Sequence, residues 1–185
     1  MKKCYLAFQA KIFYETFVVL RQMISEDNGI VRYYVPYIVN GAFSAELSLK
    51  SILTENEIVY KKEHNLLKLF FLLPQGYRDE IVSRFVLLYP TYNQDNLSVD
   101  LVLLSDAFTD WRYSFEGNVA PMDTKFADSF ITAIAKTLEA HYNVDYEERE
   151  DGGISEEEFD KLAAEERQVQ YEKHLKRLGI NNDFS

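Results

Sequence analysis

The sequence predicts an all-α, up-and-down-type bundle of about five or six helices, followed by a helical C-terminal tail. Three observations lead there. Apolar residues recur every three or four positions through nearly every apolar segment, which is the period of a helix and not the alternation of a strand. Gly (7) and Pro (4) are scarce in 185 residues, too few for the many tight turns of an all-β chain. Thirteen Tyr and thirteen Phe supply more bulky apolar surface than a disordered chain carries.

The elements follow in chain order. Residues 4–27 place Leu6, Phe13, Phe17, Leu20 and Ile24 on one face, and Asn28-Gly29 ends that helix. The run Ile30 to Val35 is β-prone but too isolated to build a sheet, so it reads as an extended or helical connector. Pro36 suits the first turn of a second helix reaching about Leu53, with Ile38, Ala42, Ala45, Leu49 and Ile52 as its stripe. A polar loop, 54–63, separates it from a short apolar helix, Leu66 to Leu73, opened by His64-Asn65 and stopped by Pro74 and Gly76. A further helix covers Tyr77 to Tyr89, before Pro90. Ser98 is the expected cap of a long helix from Val99 to Glu116, ended by Gly117. Pro121 is expected to start the next, striped by Phe126, Phe130, Ile134, Leu138 and His141.

Charge divides the chain at about residue 143. Residues 1–143 carry 17 acids and 14 bases, net −3, whereas residues 144–185 carry 13 acids and 6 bases, net −7. The expected organisation is a bundle over 1–143 and, over 144–185, an acidic linker with a charged helix capped by Ser155 and Glu158. A body so near neutrality gives no compositional case for general nucleic-acid binding, although a local basic patch is compatible with it. The lone Cys4 excludes an internal disulfide and a multi-cysteine zinc site. His64, His141 and His174 are not at a metal-ligand spacing, so neither metal nor cofactor is expected. No apolar run approaches the ~18–20 residues that cross a bilayer. Gln9, Lys11 and Glu15 interrupt the stretch after Met-Lys-Lys, which reads as a helix and not as a signal, and the expectation is a cytoplasmic protein.

Chemistry concentrates in a few residues. On a helical projection Arg112 falls inside the stripe of Leu101, Leu104, Phe108 and Phe115. A guanidinium there needs acceptors, and Asp110 and Glu46 are the candidates. Three readings stand open: a structural ion pair joining two helices, an arginine that binds phosphate or a nucleotide in a cleft, or a side chain that snorkels to water. Glu46 and Lys50, one turn apart, form either a solvated bridge or a pair that reaches across to Arg112. His64 is either a capping and packing residue or a ligand or catalytic group whose partner the sequence does not place. His141 reads as a helix-end residue and His174 as solvated.

Three blocks, taken in order, resemble HEPN domains, which are small helical bundles of prokaryotic defence, toxin–antitoxin and RNA-processing systems. They are Phe43 to Leu53 with Glu46 and Lys50, then His64-Asn65-Leu66 to Leu69, then Phe108 to Glu116 with Asp110, Arg112 and Tyr113. The resemblance covers about residues 5–142. It implies a homodimer, as does an aromatic surplus that includes Tyr33, Tyr34, Tyr37 and Trp111. Many HEPN domains are metal-independent ribonucleases that use an Arg, four to six residues, then a His on the late helix. That Arg falls on Arg112, but the positions where the His belongs hold Gly117, Asn118 and Val119. The literal match, Arg167 and His174, lies in the tail. The expectation is therefore a non-catalytic binding or regulatory module for RNA, a nucleotide or a partner protein such as a minimal nucleotidyltransferase. The alternative is a metal-independent ribonuclease toxin that uses the tail motif or His64 as its base.

Overall fold

A pair of long helices is laid down first. The computed structural model describes residues 2–27, 30–110 and 122–142, and these form six α-helices, one 3₁₀ turn and no strand. The chain divides into two units, Met1–Asp145 and Tyr146–Ser185, and every described residue belongs to the first. The expected tail helix, with Arg167 and His174, lies outside the described residues, as do Gly117 and Pro121.

Helix α1 is Lys2–Asp27 and α2 is Ile30–Glu55. They pack antiparallel along their lengths: Ser44 Oγ donates to the Ala10 carbonyl at 2.9 Å, Phe13 meets Phe43 at 4.6 Å, and Phe17 stacks on Tyr37 at 4.9 Å. The core-facing line of α1 is Ala7, Ala10, Tyr14 and Phe17. Leu6, Phe13, Leu20 and Ile24 pack at its margin, so the face is rotated slightly from the one expected. All five stripe residues expected in α2 are buried.

Helix α2 begins six residues before Pro36, so of the two alternatives for Ile30 to Val35 the helical one holds, as the start of α2 itself, while the reading of Pro36 as a first-turn residue is corrected. Tyr34, Tyr37 and Ile38 carry the helical period upstream. Tyr37 is buried, stacks on Phe17 and donates its hydroxyl to Asp128 at 2.7 Å. That packing outweighs both the β preference of the run and the backbone hydrogen bond that a proline forgoes.

Asn65 caps α3, Leu66–Leu72, its side chain accepting from the Lys68 N–H at 3.0 Å. Pro74 does stop α3, but it is also the N-cap of α4, Gln75–Leu88, and Gly76 lies inside that helix instead of breaking one. The 3₁₀ turn Gln94–Asn96, held by Asn93, leads directly into α5, Leu97–Asp110, so Ser98 is not the cap. Asp123 caps α6, Thr124–His141, accepting from the N–H groups of Lys125 and Phe126. The helix starts there, and not at Pro121, because an aspartate can satisfy two of the orphan N–H groups of a first turn.

Helix α6 is the centre of the body. It is buried at ten positions and packs on α1, α2 and α4. It runs parallel to α2, since Tyr37 meets Asp128 and Asn56 meets Tyr142. It runs antiparallel to α4, since Glu80 meets His141 and Tyr89 meets Asp123. Phe70, Phe85, Phe126 and Phe130 interlock with centroids 5.3–5.6 Å apart. At Gly41 an added Cβ would lie 2.6 Å from a Phe17 ring carbon and 2.7 Å from Ile131 Cδ1, so α1, α2 and α6 meet where only a hydrogen fits.

Candidate functional site

Glu46 and Lys50 stand one turn apart on α2, which packs against α1, α3, α5 and α6. Helical spacing brings them together, and the Lys50 ammonium donates to Glu46 Oε1 at 2.7 Å. Both side chains are largely out of water, so this is not the solvated bridge that an exposed pair would make. A carboxylate so placed needs more than one partner. The second is His64, whose Nδ1 lies 2.9 Å from the same oxygen. A carboxylate only accepts, so Nδ1 carries the proton and donates it. Nε2 is then the ring nitrogen left to meet a ligand, and the His64 side chain is 71% exposed.

The path from α2 to His64 is built by its end and the following loop. Glu57 takes a left-handed φ of 57° just past the helix, and the Ile58 N–H returns to the Leu53 carbonyl at 2.9 Å. This is a Schellman-type closure made with a residue other than glycine. Ile58 and Tyr60 then pack on the core, and the Tyr60 hydroxyl lies 3.1 Å from Thr54 Oγ1. The Tyr60 ring centroid is 5.8 Å from the Lys50 ammonium, a cation–π distance.

Glu63 fixes the other side. Its Oε1 accepts from the N–H groups of His64 and Asn65 at 3.0 and 2.9 Å, and its Oε2 pairs with Lys68 at 3.2 Å. The Asn65 N–H above all, helped by Lys68 and the His64 N–H, holds the Glu63 carboxyl below the ordinary glutamate range. Ser105 of α5 completes the frame: its Oγ accepts the Leu66 N–H at 2.8 Å and donates to the Leu101 carbonyl at 2.7 Å. The start of α3 is therefore tied both to its own loop and to α5.

Of the residues singled out from the sequence, Glu46, Lys50 and His64 are brought into one cluster, with Asn65 beside it as a cap. Arg112, Tyr113 and the Asp110 side chain lie outside the described residues. The partners found for Glu46 are thus Lys50 and His64. Tyr37, which the sequence offered to an interface, is a core residue. His141 is more than a helix end: its Nε2 lies 2.7 Å from Glu80, which also takes two bonds from Arg84. Burial pushes the Glu80 carboxyl up, but the bonds from His141 and Arg84 outweigh it and hold it below its ordinary range. Between α4 and α6, a groove of about 340 Å³ is lined by Arg84, Leu87, Leu88, Thr132, Ala133 and Lys136. Both of its cations are already engaged, by Glu80 and Glu139.

Among the described residues no group of three His, Cys, Asp or Glu could hold a metal ion, and no helix is long and apolar enough to cross a membrane. Compared with family models, curated proteins and solved structures, the chain matches none.

Proposed function

We propose that this bundle is a HEPN-like binding or regulatory module that holds RNA or a nucleotide without cutting it, in a prokaryotic defence or toxin–antitoxin setting. A homodimer and a partner such as a minimal nucleotidyltransferase belong to the same proposal. The observation that carries it is the His64 ring, exposed to ligand yet fixed through Nδ1 by a buried carboxylate. An imidazole held this way offers Nε2 and a flat face at one orientation, which favours contact with a phosphate or a base. Arg112 would add the forked guanidinium that takes phosphate oxygens in pairs.

Exposure argues for binding over chemistry. Catalytic electrostatics gain their strength where water is excluded, and 71% of the His64 side chain remains accessible. One feature favours the second reading, a metal-independent ribonuclease. A carboxylate on Nδ1 is how proteins select the tautomer that leaves Nε2 as a base.

Fluorescence anisotropy with labelled single-stranded RNA and with a labelled nucleotide separates the two. Binding is expected, lost in Arg112→Ala and weakened in His64→Ala with at most a small drop in melting temperature. Metal-free incubation with RNA is expected to give no cleavage above background. Absence of binding to either probe would defeat the proposal. Robust cleavage that disappears in His64→Ala would establish the ribonuclease reading instead.

A further inference from the structure

Cations gather from the loop before α3 to the first turn of α4. Residues 61–78 hold Lys61, Lys62, Lys68 and Arg78 against one acid, Glu63, net +3 with His64 neutral, in a body of net −3 over residues 1–143. Asp79 and Glu80 follow at once, but Asp79 accepts from Gln75, and Glu80 is taken by His141 and Arg84. Lys61 and Lys62 are exposed, and among the described residues no carboxylate pairs with them or with Arg78.

Flat groups alternate with these cations. The exposed His64 imidazole stands at one end. Lys68 follows, its side chain 67% exposed, and Phe71 comes one helical turn later, 54% exposed. The Phe71 ring stands edge-on to buried Phe70 at 5.6 Å, which fixes it from beneath. Arg78 lies over the same ring with Cζ 5.7 Å from its centroid, a cation–π distance. Its Nη2 donates to Gln75, while its Nε–H is out of water with no partner among the described residues. We propose that Phe71 and Arg78 form a base-stacking platform, so that the ligand of the His64 site is a single strand of RNA about three nucleotides long or longer, and not a lone nucleotide.

The alternation selects the occupant. A nucleic-acid strand repeats a flat base and a charged phosphate, and this face offers ring, cation, ring and cation in turn. An acidic peptide would meet the cations but has no repeating flat group to lay on the rings. Lys68 is held by Glu63 at 3.2 Å, yet that pair is open to water and weak, and an ammonium has further N–H groups to give a phosphate. The reach agrees with a strand. Phe71 is seven positions after His64, roughly 10 Å along α3. Stacked nucleotides advance about 3.4 Å each, so about three of them span the two rings.

This inference rests on the reading of His64 as a ligand contact, and the test separates the two. The probes are a labelled eight-nucleotide oligouridylate and a labelled uridine monophosphate, read by fluorescence anisotropy on the full chain. Phe71→Ala and Arg78→Gln are expected to keep the helical circular dichroism and to weaken the octamer about tenfold each. Phe71→Tyr, which keeps the ring, should bind it as the unaltered chain does. Lys68→Gln should make log affinity fall less steeply with log salt, by about 0.7 in slope. Octamer binding that falls in His64→Ala but not in Phe71→Ala would overturn the platform and leave the His64 reading standing, as would binding of the monophosphate alone. Loss in Phe71→Ala with none in His64→Ala would uphold the platform and remove the His64 reading. Competition by oligoglutamate as effective as that by unlabelled oligouridylate of equal charge would overturn the proposal in favour of an acidic protein partner.

Discussion

Two donors converge on one oxygen of Glu46, and they differ in how much they depend on it. Lys50 is mostly buried, so loss of the carboxylate strands an ammonium away from water. Glu46→Ala is therefore expected to cost about 3 kcal/mol, read by urea or thermal unfolding. His64 is open to solvent, and His64→Ala should cost less than about 1 kcal/mol, the range of an exposed pair. Equal losses from the two variants would show that the histidine, too, is structural. Half of this cluster was legible in the sequence. Spacing of four on a helix places Glu46 beside Lys50. The 18-position separation of Glu46 and His64 hides their contact, because it depends on how a non-periodic loop turns back. No pattern of residue types signals that turn in advance.

The segment after α2 shows why element ends were harder to read than element faces. Stripes follow from periodicity, and those expected for α2 and for α6 up to Leu138 are buried as expected. Ends follow from single residues acting through local bonds, and several candidates compete for each. Asn93 and Asp123 were preferred over Ser98 and Pro121 because their carboxamide and carboxylate oxygens accept N–H groups from the turns they open. Pro36 misled because its rule concerns local geometry, whereas the stacking of Tyr37 on Phe17 acts across helices. The Glu57 closure is a testable case of local cost. A side chain in the left-handed region is strained by roughly 1–2 kcal/mol, which glycine avoids at some entropic cost in the unfolded chain. Glu57→Gly should thus raise stability by about 0.5–1 kcal/mol, seen as a higher urea midpoint. A lower midpoint would mean that the Glu57 side chain contributes more than its backbone costs.

An all-helical bundle is readable in the sequence, but the arrangement of its helices is not. Nothing in composition or spacing says that α6 lies beside both α2 and α4, or that Gly41 marks the point where three helices touch. That junction can be tested directly. Gly41→Ala improves helix propensity by about 1 kcal/mol yet forces a methyl against Phe17 and Ile131. Overpacking of this kind costs about 1–3 kcal/mol, so the net effect should be a lower melting temperature by calorimetry. A higher one would show that the three helices part without penalty. The position of α6 in the chain has one further consequence. A ribosome makes a chain from its N-terminal side onward, and the helix that closes the interior emerges after the other five described helices, α1, α2 and α4 on which it packs among them. Until then Phe17, Phe85 and Ile38 have no complete surroundings, and contacts such as Tyr37 to Asp128 must wait for 91 further residues. The nascent chain therefore spends much of its synthesis with its apolar faces open, and cellular folding helpers would find their binding surface in that interval.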